Sequence, residues 1–147
     1  MLVFVVAQII LFLVMTLHDW VSVFPLNDLA TLKKTDSVKY RVLGSCINGA
    51  FVLAPLVLTL VYQEGNRLAS LSICFFYGGL TLGTLLSWWV PYFFGSSAAH
   101  KKAFDKFKGT HHFLPSIGDH VVPNTLHVIL HLLVWGCFVY SLIILYS

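Results

Sequence analysis

Charge is what this sequence has least of. Only 10% of its 147 residues are Asp, Glu, Lys or Arg, while 58% are hydrophobic and the mean hydropathy is +0.84. A soluble domain carries about 25% charged and about 45–50% apolar residues, so this composition belongs to a membrane protein. Disorder is excluded, because a disordered chain is poor in apolar residues. Cysteine is scarce too. Cys46, Cys74 and Cys137 lie far apart, which excludes a disulfide framework and a Cys-x-x-Cys redox pair. There is no Gly-rich phosphate loop and no Ser nucleophile elbow. The ten-residue alternating segments of a membrane β-barrel are missing. Nucleic acid is not an expected partner, because the net charge of +3 is accounted for by loops facing anionic lipid.

What is present is four long apolar runs, at about 2–26, 42–62, 68–94 and 121–146. Each is long enough to cross a bilayer with some tilt. Backbone groups in lipid must bond internally, so the runs are expected to be helices. The expected fold is all-α: a polytopic integral membrane protein with a four-transmembrane-helix bundle, forming one domain over 1–147. The first run lacks a basic flank and a small-residue cleavage site, so it is expected to remain in the mature protein. Pro55 is placed to kink the second run unless its neighbours satisfy the freed carbonyl. Gly79, Gly83 and Ser87 recur at four-residue spacing, which reads as a tight helix–helix seam. The partner helix is either in this chain or in a second copy, making a homo-oligomer.

Eight of the nine Lys and Arg residues fall in the loops at about 27–41 and 95–120, and only Arg67 lies elsewhere. Positive loops stay in the cytoplasm. Both termini are therefore expected outside, in a bacterial inner or plasma membrane. Ser96 or Ser97 can cap a short helix in the third loop that ends at Gly109. It would place Ala99, Ala103, Phe104 and Phe107 on one side and Lys101, Lys102, Asp105, Lys106 and Lys108 mostly on the other. That is the pattern of an interfacial helix, drawn to anionic lipid by about 1 kcal/mol per Lys.

Seven histidines are the main anomaly. With this topology, His18 and Asp19 end the first span, while Asn124, His127 and His131 begin the fourth. His111, His112, Asp119 and His120 lie in the segment leading into it. Ser45, Cys46 and Asn48 begin the second span at the same level. Trp88, Trp89 and Tyr92 read as an interfacial aromatic belt, and His100 as solvated. The polar residues thus gather at the cytoplasmic mouth of the bundle. Asn124, His127 and His131, at i, i+3 and i+7, share one helix face.

His127 and His131 are four apart, so both imidazoles can reach one metal ion. Their expected co-ligands are His112 and Asp119, with His18, His111 and His120 as other sources of a third imidazole. His18, Asp19 and Asn124 are the expected catalytic groups. Zinc, iron or haem would suit such a set. His127-x-x-x-His131 and the pair His111-His112 resemble two boxes of the membrane histidine-box lipid oxidases, and the resemblance implies iron and a lipid substrate. The family's remaining boxes are absent. The leading expectation is a metal- or haem-dependent enzyme acting on a hydrophobic, lipid-like substrate. The alternatives are a metal-free His/Asp acid–base enzyme on a membrane lipid, and a non-enzymatic transport, lipid-binding or accessory subunit.

Overall fold

The computed structural model describes residues 1–62 and 65–146. Those residues form helices and turns, with no strand among them. In chain order the helices are α1 (Leu2–Leu17), α2 (Leu29–Thr35), α3 (Val38–Leu60), α4 (Arg67–Phe94), α5 (Ala98–Phe104) and α6 (Thr125–Tyr146). The four apolar ones pack in a closed ring: α1 lies against α3 and α6, and α4 lies against α3 and α6. Their inner faces meet at Phe4, Leu11, Val52, Ile73, Tyr77 and Val134. The short helices α2 and α5 and the segment 108–124 gather at one end, where α1 and α4 finish and α3 and α6 begin.

Helices α3, α4 and α6 are long and apolar enough to cross a membrane. α1 is apolar but has only 16 residues, about 24 Å at the α-helical rise. The expected first span of 2–26 is therefore cut short, and the cause is local. Were the helix to continue, the Val21 carbonyl would need the N–H of Pro25, which does not exist. Asn27 supplies an alternative. Its amide donates to the carbonyls of His18 (2.6 Å) and Val21 (2.8 Å), while its Oδ1 accepts from the Val23 N–H (2.7 Å). Asn27 is buried in this turn, and Trp20, Val21, Val23 and Phe24 are left exposed around it.

α3 starts on Ser37, whose side chain accepts from the Tyr40 N–H, and it runs on through Pro55. α4 starts on Asn66 in the same way. Near its end α4 widens into a single π turn, Leu85–Trp89, where the Val90 N–H reaches the Leu85 carbonyl. Pro91 deprives the Ser87 carbonyl of its helical donor. His100 fills the gap, its Nε2 donating to that oxygen at 3.1 Å. His100, expected to be solvated, therefore repairs a proline defect, and its ring also stacks on Phe104 at 4.4 Å.

The interfacial helix expected up to Gly109 is shorter: α5, capped by Ser97, followed by one 3₁₀ turn at Asp105–Phe107. Its aromatic residues turn towards α4. Phe104 and Phe107 lie 4.5 and 5.3 Å from the Trp88 ring. An ion pair of 2.5 Å between Lys106 and Asp36 ties this turn to the end of α2.

Asp28 caps α2, accepting from the Thr31 hydroxyl (2.5 Å) and the Thr31 N–H (3.0 Å). These bonds hold its carboxyl below the usual carboxylate range. A depressed carboxylate contributes stability above its unfolded value of about 3.9 and loses it as pH falls through the folded value. Melting temperature is therefore expected to fall on acidification below about pH 4. Asp28→Asn keeps the capping oxygen but cannot titrate, so its melting temperature should fall less over the same range. An equal fall in the variant would assign the acid sensitivity to other groups.

Candidate functional site

Inside the ring, towards the covered end, lies a cavity of about 390 Å³. Every apolar helix contributes to it. Met15 precedes His18 at the end of α1, Ile47, Asn48 and Phe51 come from α3, and His127, Leu130, His131 and Val134 come from α6. α4 contributes Gly79, Leu80, Gly83, Thr84, Ser87 and Trp88. The histidines mark the polar end and the aliphatic residues the other. Between α3 and α4 both edges are exposed: Ile47 and Phe51 on one side, Gly79, Gly83 and Ser87 on the other. The cavity thus opens sideways, through the flank of the apolar helices.

The π turn brings two consecutive tryptophans onto α6, although adjacent residues of a regular helix point about 100° apart. Trp88 lies over His127, the rings 4.2 Å apart and tilted by 32°. Trp89 donates its indole N–H to His131 Nδ1 at 3.0 Å. An indole can only donate, so Nδ1 of His131 is an acceptor and the proton of the neutral ring sits on Nε2. His131 is 3% exposed and lines the cavity. Trp88 therefore lines the cavity, and Trp89 is hydrogen-bonded to a residue that does. Pro91 and the adjacent tryptophan pair were the available signal, and only the packing of α4 on α6 gives it meaning.

His127 is set the opposite way. Asn124 Oδ1 accepts from the His127 backbone N–H (3.0 Å) and from its Nδ1 (2.6 Å). The Asn124 amide nitrogen donates to the Leu26 carbonyl (3.4 Å) and to Thr110 Oγ1 (2.9 Å). That second set of bonds decides which end of the amide is oxygen. Nδ1 of His127 therefore donates, and its Nε2 carries the lone pair. His18 Nδ1 donates to the Val14 carbonyl at 3.0 Å, and its Nε2 lies 3.3 Å from Asp19 Oδ1. The His127 ring is 6.0 Å from that of His18 and 6.1 Å from that of His131.

The expected site residues thus separate. His18, His127 and His131 meet at the cavity. Asp19 stands behind His18, and Asn124 behind His127 as a positioning residue. His112 and Asp119 do not join them. They line a second cavity of about 530 Å³ with Lys101, Phe104 and His120. Asp119 pairs there with Lys101 at 2.6 Å, which holds its carboxyl below the usual range. His112 Nε2 donates to the Phe107 carbonyl and His120 Nδ1 to that of Tyr92, while His111 Nδ1 meets the Thr125 hydroxyl. The expected four-ligand set of His127, His131, His112 and Asp119 is therefore divided between two cavities. Among the described residues no three His, Cys, Asp or Glu side chains stand where they could hold one metal ion. The two histidine pairs that resemble oxidase boxes do not converge either.

Of the two partners expected for the small-residue stripe, only a helix of this chain can be judged from its own fold, and it is not found. No helix of this chain packs on it: a Cβ placed at Gly79 or Gly83 would meet nothing within 4 Å. The stripe walls the cavity instead.

Trp89→Phe keeps the ring and deletes the donor. A hydrogen bond of this kind is worth about 1 kcal/mol, so the preference of His131 for one tautomer should drop about fivefold. Nitrogen NMR of labelled histidine reads this directly. An unchanged tautomer ratio would mean that Trp89 does not set it.

No family model, curated protein or solved structure matches this chain.

Proposed function

We propose that this chain is a membrane-embedded acid–base enzyme acting, without a metal, on a lipid-like molecule that enters sideways between α3 and α4. One observation carries the reading: His127 and His131 bring opposite Nε2 roles, lone pair and N–H, to one cavity that opens onto an apolar flank. A neutral imidazole N–H can polarise a substrate oxygen, while a second imidazole acts as general base. In this chemistry the substrate oxygen is a carbonyl held by His131. His127 takes a proton from the carbon next to the carbonyl carbon, and the electron pair moves onto the oxygen. The proton returns to the same or a neighbouring carbon as the carbonyl re-forms or the double bond shifts. Nothing is oxidised and no co-reactant is consumed. His18, held by the Val14 carbonyl and Asp19 with its ring 6.0 Å from that of His127, completes the polar end of the cavity.

Four crossings with both termini outside suit this reading. The four packed apolar helices support it, with the exposed apolar residues Trp20, Val21 and Phe24 extending α1. Eight of the nine basic residues lie at the covered end, and positive loops face the cytoplasm. The host membrane is then a bacterial inner or plasma membrane.

The test is solvent exchange. The protein is incubated in nanodiscs with total membrane lipids in heavy water, and the lipids are read by mass spectrometry. The expected result is deuterium in one lipid species, dependent on the protein and unaffected by a chelator. Deuteration abolished by the chelator, together with stoichiometric metal on elemental analysis, would overturn the metal-free mechanism. Folded protein that labels no lipid would overturn the enzyme.

A further inference from the structure

We infer that the cavity takes a lipid with a single apolar chain and an uncharged, oxygen-bearing head, the chain lying in the slot along Gly79 and Gly83. The inference rests on the lipid-binding part of the proposed function and names the chemical class of the ligand.

The head is argued from the polar end. Among the described residues no Lys or Arg lines the cavity. Two cations of that end have other contacts: Arg41 donates through one terminal nitrogen to the Asp19 carbonyl and covers the Trp20 ring at 4.3 Å, and Lys106 pairs with Asp36 at 2.5 Å. A carboxylate or phosphate placed among these side chains would lose its hydration without gaining a counter-charge, which is strongly unfavourable. A hydroxyl or carbonyl oxygen meets what it needs. His131 is 3% exposed, its Nδ1 is occupied by Trp89, and its Nε2–H has no hydrogen-bond partner among the described residues. Asn48 also lines the cavity, and among the described residues its amide has no such partner.

The chain is argued from the slot. The space beside Gly79 and Gly83 is open, with nothing within 4 Å of a Cβ at either position. Ile47 and Phe51 face it from α3, and Leu80, Leu130 and Val134 continue the apolar wall. At about 390 Å³ the cavity is near the lower end of small-ligand pockets, about 300–1,000 Å³. That leaves room for a head and one chain, not for a two-chain phospholipid.

The full chain, in phosphatidylcholine nanodiscs, is exposed to three photo-crosslinking probes: a long-chain fatty alcohol, the matching fatty acid and a phosphatidylcholine. The alcohol is expected to label peptides 47–51 and 79–88, at least about tenfold above the other two. Gly79→Leu and Gly83→Leu place side chains in open space and raise helix propensity. They should therefore fold, with an unchanged melting temperature, and lose about tenfold of the labelling. Equal labelling by the acid or the phospholipid would overturn the neutral head. Full labelling of both leucine variants would overturn the slot. A wild-type dimer that Gly79→Leu disrupts, with no labelling by any probe, would overturn the ligand in favour of a helix–helix seam. His127→Gln should keep the alcohol labelling while abolishing deuterium exchange. Labelling of wild type without any exchange would leave this inference standing and remove the acid–base reaction; exchange without labelling of the slot would do the reverse.

Discussion

Replacing His127 by Gln is expected to lower deuterium incorporation by at least about a hundredfold, with the protein still folded. A positioned general base contributes about 10²–10⁴-fold, and glutamine offers no lone pair of comparable basicity. His127 is the one histidine whose Nε2 both carries a lone pair and belongs to a ring lining the cavity without a carboxylate beside it. Its ring is held on three sides, by Asn124 through Nδ1, by Trp88 at 4.2 Å and by Phe107 at 4.9 Å. Glutamine can keep a hydrogen bond to Asn124 and fill most of the volume, so the folded fraction should change little. His131→Ala is expected to cost less, because it removes a hydrogen bond to the substrate and leaves the base in place. Activity that merely tracked the amount of folded protein in both variants would make the histidines structural and sink the enzyme.

Asn124→Ala should give the largest loss of stability. Asn124 is 1% exposed and joins three parts of the chain. Its oxygen caps α6 through the His127 N–H, and its nitrogen holds the turn after α1 through Leu26 and the segment 108–124 through Thr110. Loss of a cap costs about 1 kcal/mol, and each buried group left without a partner costs about 1–3 kcal/mol. Because these groups are neighbours their losses do not add fully, and the expected total is about 2–4 kcal/mol. A thermal melt in detergent measures it. Asn124→Asp retains the capping oxygen but cannot donate to the Leu26 carbonyl, so it should fall between wild type and alanine. An aspartate variant as unstable as the alanine one would place the weight on the Leu26 and Thr110 bonds; an alanine variant as stable as wild type would remove the clamp altogether.

The pairing of His127 with His131 was legible from their spacing, because a helix repeats every 3.6 residues and neighbours at i, i+4 share a face. The level of His18 was legible for a similar reason: four antiparallel runs with charged residues in alternate loops return their polar ends to one side. Asn124 was legible as part of that face, but its role was not. A side chain one residue before a helix points at the first turn of that helix, so Asn124 orients His127 rather than facing the cavity.

Other features depend on partners distant in sequence. Hydropathy cannot see that Asn27 reaches back to His18 and Val21, and so it reads a span through a turn. It cannot see that His100 repairs the carbonyl freed by Pro91. Four-residue spacing of Gly79, Gly83 and Ser87 states only that the surface is flat. Whether another helix or open space lies over it depends on how far apart α3 and α4 stand. His112 and Asp119 are the right residue types for metal ligands, but the packing of α5 over the covered end puts them in a different cavity from His127.

The sequence by itself therefore determined the apolar helical character of the chain, the end of the helices at which its polar chemistry collects, and the face of α6 that carries it. These follow from composition, charge and periodicity, which are local properties of the chain. The tertiary structure alone decided which histidine nitrogen donates and which accepts, where the cavity opens, and which of the seven histidines share it. Those depend on hydrogen bonds and gaps between segments that the chain brings together only on folding.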